Sequence, residues 1–264
     1  MIPIIFQSNI HQVIGQLAQE LHDGVNLVVM NLCDGTEIDG YPGVTVLKEL
    51  EKQGIPFTGS DSYFYDLTTS KPVLKDSLLI NRVETSEYVV IRPGFEDQDI
   101  LKAESIIGWP MIVKPAVSYA SLSISYKSVV NNIQEAVEQV KKVFEMTSDG
   151  VFVERFLAGR EFTVLCTGNE SQGVVVYPAA ERVFNEKLGT YQRLLAFDQY
   201  WDGCEIDGTV GKNVASHYSY ELAPQEWQNG LMGKYLFYIQ IWQSALILLV
   251  KAMGIVALIF GQIH

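Results

Sequence analysis

Charged residues on three short apolar segments offer the clearest chemistry in this sequence. Lys114 closes the run Met111-Ile-Val and precedes Pro115. An apolar run of that length suits a covered strand, and a proline there is expected to end it, so that Lys114 leaves the sheet in one direction. A lysine so held can meet a phosphate. Val151-Phe-Val leads to Glu154 and Arg155, and Phe156 and Leu157 follow at once. Those two residues supply an apolar wall beside backbone groups able to pair with an adenine edge. Glu161 opens the alternating segment Phe162, Val164, Cys166, where a carboxylate can accept hydrogen bonds from ribose hydroxyls. Singly, Lys114 and Glu161 are ordinary strand-end charges; in order along one chain they read as a nucleotide site.

The elements that must position these residues follow from periodicity, which predicts an α/β protein in two parts. Ile10, Val13, Ile14, Leu17, Ala18 and Leu21 share one helical face, and Val25 to Met30 reads as an apolar strand after it. Residues 31–43, rich in Gly and Asp, read as a loop at that strand's end, where open α/β sheets place ligands, or as a plain polar turn. A composition change between Tyr65 and Thr69 suits a domain boundary, with domains at 1–66 and 67–264. Ile133, Ala136, Val137, Val140, Val143 and Phe144 mark a second amphipathic helix, capped from Asn131-Asn132 and ended near Asp149-Gly150.

Composition sets wider limits. The 264 residues are 48% hydrophobic, enough for one large core or two modest ones. A net charge of −12 leaves no basic excess to replace the counterions of a nucleic acid, so that partner is not expected. Cys33, Cys166 and Cys204 are odd in number, far apart and without metal-ligand spacing, and His11, His22, His217 and His264 form no cluster with them. That usage suits the reducing cytoplasm, and the N-terminal residues lack the pattern of a signal peptide.

The quoted segments resemble the ATP-grasp superfamily, in its D-alanine–D-alanine ligase-like branch. Gly43 to Ser60, ending Gly-Ile-Pro-Phe-Thr-Gly-Ser, is similar to the family's helix and strand closing the first domain. Thr69-Ser-Lys71-Pro-Val-Leu-Lys75 resembles its pair of lysines four apart, the earlier of which meets ATP phosphate in the family. The resemblance implies an ATP-grasp fold, incomplete here, preceded by an open pre-ATP-grasp α/β domain. It implies ATP as cofactor, with Lys71 and Lys114 on phosphate, Glu154, Arg155, Phe156 and Leu157 around adenine and Glu161 on ribose. It further implies Mg2+, a small carboxylate or amino-acid substrate, and ligation through an acyl phosphate. Homo-oligomerisation is left open.

Two departures accompany the resemblance. After Lys114 the family carries a glycine-containing serine loop; here Ser118 and Ser121 keep hydroxyls for phosphate, while Tyr119 and Ser123 stand where glycines are expected. The family's Arg, Asp and Glu-x-Asn that hold magnesium have no counterpart, since no Asp or Glu follows Glu226. Glu181, Asp198, Asp202, Glu205 and Asp207 could in principle substitute, but none has matching spacing and most read as solvated loop charges. No metal ligand is therefore assigned, and a noncatalytic nucleotide-binding or interaction protein is the alternative to a ligase. Residues 236–260 are largely apolar, which raises a membrane tether, but Gln240, Gln243 and Lys251 interrupt the run and oppose a span.

Overall fold

A computed structural model describes residues 7–33, 42–118, 123–164, 166–169, 173–196 and 218–225. The first part of the chain is helical. α1 (Ile10–His22) packs on α2 (Val44–Gln53), and Ile10, Ile14, Val46, Leu47 and Leu50 close over Ile55 and Phe57. α2 ends at Gly54, whose φ of 65° is the left-handed cap that glycine accepts without a Cβ clash. α3 (Ser62–Thr69) and α4 (Lys71–Ile80) follow, so the composition change near Tyr65 falls within a helix.

The strand expected over Val25 to Met30 is reduced to one parallel bridge, Val29 with Phe57. Its two hydrogen bonds, Val29 N–H to the Pro56 carbonyl at 2.8 Å and Thr58 N–H to the Val29 carbonyl at 2.9 Å, use both neighbours of Phe57. Extending the parallel ladder toward Leu27 would need an N–H at position 56, and proline has none. Val28 and Met30 are correspondingly exposed.

Residues 88–155 build a four-stranded antiparallel sheet of order β1-β4-β2-β3, from β1 (Tyr88–Ile91), β2 (Met111–Pro115), β3 (Val129–Val130) and β4 (Val151–Arg155). α5 (Asp97–Ile107) joins β1 to β2, and α6 (Ile133–Phe144) joins β3 to β4. Ile100, Ala103 and Ile107 of α5 and Ala136, Val140 and Val143 of α6 meet Met111, Val113, Val151 and Val153 in one buried cluster. The predicted helix over 133–144 is thus present, capped by Asn132, whose side chain accepts from Glu135 N–H at 3.0 Å. β2 does not stop before Pro115: Lys114 pairs with Phe152 and Pro115 with Val151 inside the ladder. As the last residue of its strand Pro115 costs the sheet little, and the pleat, not departure from the sheet, sets the direction of Lys114.

A second sheet of order β5-β8-β9 comprises β5 (Glu161–Thr163), β8 (Ala180–Phe184) and β9 (Tyr218–Leu222), and β6 (Cys166–Asn169) pairs separately with β7 (Gly173–Val176). The single alternating strand expected from Glu161 through Cys166 is therefore two, because the chain pairs with β8 through Thr163 and with β7 from Cys166. Val113, Val153 and Val164 are all buried. No described helix is long and apolar enough to cross a membrane; the apolar residues 236–260 lie outside the described residues.

Candidate functional site

The pleat sorts β2 and β4 into two faces. Met111, Val113, Val151 and Val153 turn to the helices, which puts Ile112, Lys114, Phe152 and Glu154 on the other face. Lys114 lies opposite Phe152 in register, so Glu154, two residues on, is its diagonal neighbour, within reach of a long side chain. Lys114 Nζ donates to Glu154 Oε1 at 2.6 Å. The second oxygen, Oε2, takes Lys75 Nζ at 2.7 Å and the Ser86 hydroxyl at 2.5 Å. Lys75, deeply buried on α4, also donates to Thr85 Oγ1 at 2.6 Å.

Lys71 reaches the same place from the first position of α4. The loop after β2 is tied to that helix start by Lys71 N–H to the Ala116 carbonyl at 2.9 Å and by the Ser70–Val117 bridge. Lys71 Nζ then donates to Ser118 Oγ at 2.8 Å and to the Ser118 carbonyl at 3.2 Å. Lys75 and Lys114 thus bond one carboxylate, Glu154, and Lys71 lies near enough to feel the charges of Lys114 and Glu154. Burial pushes Lys71 down to about 7, the Lys114 charge pushes the same way, and Glu154 opposes them. Burial works against the Glu154 carboxylate, but Lys114 and Lys75 outweigh it and hold its pKa well below the usual range. Lys75 is lowered by burial against the pull of Glu154. Positive charge in excess of its counter-charge, at a place where water is scarce, is what an anionic ligand needs.

Beside the lysines on the same face, Phe156 is buried with Ile112, Val129, Leu194 and Ala196, and Tyr191 meets its ring edge-on at 5.8 Å between centroids. Leu157 next to it is partly exposed. Glu161 pairs directly across the sheet with Arg182, and the guanidinium bonds its Oε1. Burial pushes the Glu161 carboxyl up, while Arg182 and then Lys114 favour its charged form. Lys114 therefore acts on carboxylates of both sheets.

The structure brings together Lys71, Lys114, Ser118 and Glu154, with Phe156 and Glu161 alongside. It does not bring the Arg155 side chain to them: that residue lies on the other side of the pleat and pairs with Glu87 at 3.2 Å. Ser121 and Tyr119 lie outside the described residues. Glu181 is not a solvated loop charge, since Arg160 grips it through two nitrogens at 2.6 and 2.5 Å on β8. Asp198, Asp202, Glu205 and Asp207 lie outside the described residues. The roles of Ser86, Leu194 and Arg182 were not read from the sequence; for Lys75 the only signal was its spacing of four from Lys71.

Ser123 adopts φ 65°, the left-handed region where a glycine was expected. Such a conformation costs a non-glycine residue about 1–2 kcal/mol, partly recovered because serine has the less flexible unfolded chain. Ser123→Gly should therefore stabilise the protein by about 0.5–1 kcal/mol, a Tm rise of about 1–4 °C. An unchanged or lower Tm by calorimetry would show that Ser123 is not strained.

A family model described as D-ala D-ala ligase C-terminus matches residues 82–212, the segment holding Lys114, Glu154 and Glu161. The chain belongs to the ATP-grasp superfamily, in its D-alanine–D-alanine ligase-like branch. A D-alanine–D-alanine ligase of Polaromonas sp. strain JS666 is 31% identical over 135 residues, which are 50% of this chain and 39% of that protein. The uncharacterized protein y4sG of Sinorhizobium fredii is 30% identical over 154 residues, 58% of this chain and 42% of that one. The match thus spans about two fifths of each relative's length. The ATP-grasp fold is shared with the D-alanine–D-alanine ligase of Bacillus anthracis complexed with ATP, at 17% identity and a TM-score of 0.56, over 91% of this chain and 70% of that one. The biotin carboxylase domain of Hydrogenobacter thermophilus 2-oxoglutarate carboxylase, complexed with MgADP, shares it with a TM-score of 0.52 over 67% of this chain and 38% of that one.

Proposed function

We propose that this ATP-grasp chain binds ATP between its two sheets and serves a carboxylate–amine ligase-like function. The supporting observation is the pairing of Lys75 and Lys114 with the Glu154 carboxylate, with Lys71 next to them on Ser118 and the Phe156 wall beside. The triphosphate lies at Lys71, Lys114 and Ser118, and at Ser121 beyond the described residues. Adenine lies against Phe156 and Leu157, flanked by Glu154 and the backbone at Arg155, and the ribose hydroxyls meet Glu161. In the reaction this serves, the terminal phosphate of ATP passes to a substrate carboxylate, and an amine attacks the acyl phosphate, releasing phosphate as the C–N bond forms. The lysines stabilise the charge that develops on the transferred group.

Magnesium is a separate matter. Among the described residues no group of three or more His, Cys, Asp or Glu side chains forms a cation site. Glu154 and Glu161 are engaged by lysines and Arg182. The described residues do not fit a protein-held Mg2+, and Asp198, Asp202, Glu205 and Asp207 lie outside them; a nucleotide-binding protein without turnover is the second reading. The domain division we propose, at 66/67, keeps the Ile14–Leu50 cluster apart from the cluster of the four-stranded sheet.

Hydrogen exchange with and without ATP tests the placement. Slowed exchange over 112–118, 154–161 and the first turn of α4 is expected; protection confined to 44–57 would contradict it. Proton linkage gives a second readout. A Lys71 pKa of about 7 leaves most of its amine neutral at pH 8, and a neighbouring phosphate favours the charged form, raising the pKa. Binding at pH 8 should therefore take up protons, approaching about one per nucleotide. Calorimetry in buffers of different ionisation enthalpy measures this, and zero uptake would remove Lys71 from the phosphates.

A further inference from the structure

Glu161 is the end of a row of paired side chains across the second sheet. In register, Glu161 stands opposite Arg182 and Arg182 opposite Tyr220, so all three share one face of β5, β8 and β9. Arg182 is 7% exposed, an unusual place for a guanidinium unless each side is engaged. One terminal nitrogen holds Glu161 Oε1; the other donates to the Tyr220 hydroxyl at 2.6 Å, and Nε reaches the same oxygen at 3.3 Å. The rings of Tyr218 and Tyr220 stand 4.9 and 5.3 Å from the guanidinium carbon, close enough for cation–π attraction. A planar fork held by two rings and a hydroxyl cannot follow a mobile carboxylate; the carboxylate must come to it. Among the described residues the grip is on Oε1, which leaves Oε2 for another donor.

We propose that Arg182 is a positioning residue, which fixes the Glu161 carboxylate so that its second oxygen selects a nucleotide sugar with its hydroxyls in place. The inference rests on the nucleotide reading above. Arg182 touches no ligand; it acts through Glu161, with Tyr220 as its own support.

The test compares ATP with 2′-deoxy-ATP and 3′-deoxy-ATP, which share adenine and triphosphate and differ only in one hydroxyl. A hydrogen bond to a fixed carboxylate is worth about ten- to a hundredfold in affinity. The wild-type protein should prefer ATP to at least one deoxy analogue by about that factor, and Arg182→Gln should bring the ratio to within about twofold. A purely structural arginine would weaken all three nucleotides alike and leave the ratios standing, which would overturn the proposal. Tyr220→Phe is the second variant, since Tyr220 is 55% exposed and its ring tolerates the loss of one hydroxyl. It should reduce discrimination severalfold with the fold intact, and full discrimination in that variant would likewise count against the ladder. If the folded wild-type protein binds ATP without preferring it, the proposal fails while the nucleotide reading stands; if it binds none of the three, both fail.

Discussion

Replacing Glu154 by alanine should lower the unfolding free energy by about 3–5 kcal/mol, because it strands buried lysines without their counter-charge. Lys75 is 5% exposed, so its ammonium cannot rehydrate without the helix moving, and Lys114 keeps only a fifth of its side chain in solvent. The sign of the pH dependence follows from the lowered Glu154 pKa. A carboxyl that holds its proton more weakly when folded stabilises the fold above its unfolded pKa of about 4.3 and loses that contribution as pH falls through the folded value. The wild-type protein should thus lose stability more steeply below about pH 4 than Glu154→Gln does. Urea denaturation of the variants at pH 7 and pH 3.5 measures both effects. A loss under about 1 kcal/mol at pH 7, the range of an exposed pair, would show that the cluster is solvated.

Lys114→Ala should reduce ATP affinity more than tenfold, corresponding to about 1.5–3 kcal/mol for a lost charge-assisted phosphate contact. Its cost to stability should be smaller than that of Glu154→Ala, since Glu154 keeps Lys75 and the Ser86 hydroxyl. That separation is the signature of a ligand-facing lysine. Displacement of a fluorescent ATP analogue, followed by anisotropy in the variant, gives the number; affinity within twofold of wild type would take Lys114 off the phosphates.

How far the sequence revealed this arrangement depends on the range of the interaction concerned. Local signals were legible: the periodicity of 133–144, the cap at Asn132, and the covered strands that carry Lys114 and Glu154. Pro115 misled, because a proline can be the last residue of a strand as well as the first beyond it. The expected strand at Val25 to Met30 was misjudged because an apolar run says nothing about the partner's hydrogen bonds, and Pro56 withholds one. Non-local pairs were not legible at all. Glu161 meets Arg182 through the register of two strands set by intervening chain, and Lys75 meets Glu154 only once α4 has packed against the sheet. The glycine expected at position 123 was sound as a statement about backbone, since Ser123 takes the left-handed conformation without the residue that suits it.

Isothermal titration of the folded chain with ATP tests the central claim most directly. Surplus lysine charge beside the apolar wall at Phe156 predicts saturable binding of one nucleotide, complete by millimolar concentration and weakened by Lys114→Ala. A folded chain that gives no heat and no saturation with millimolar ATP, at two temperatures to exclude a vanishing enthalpy, would contradict it.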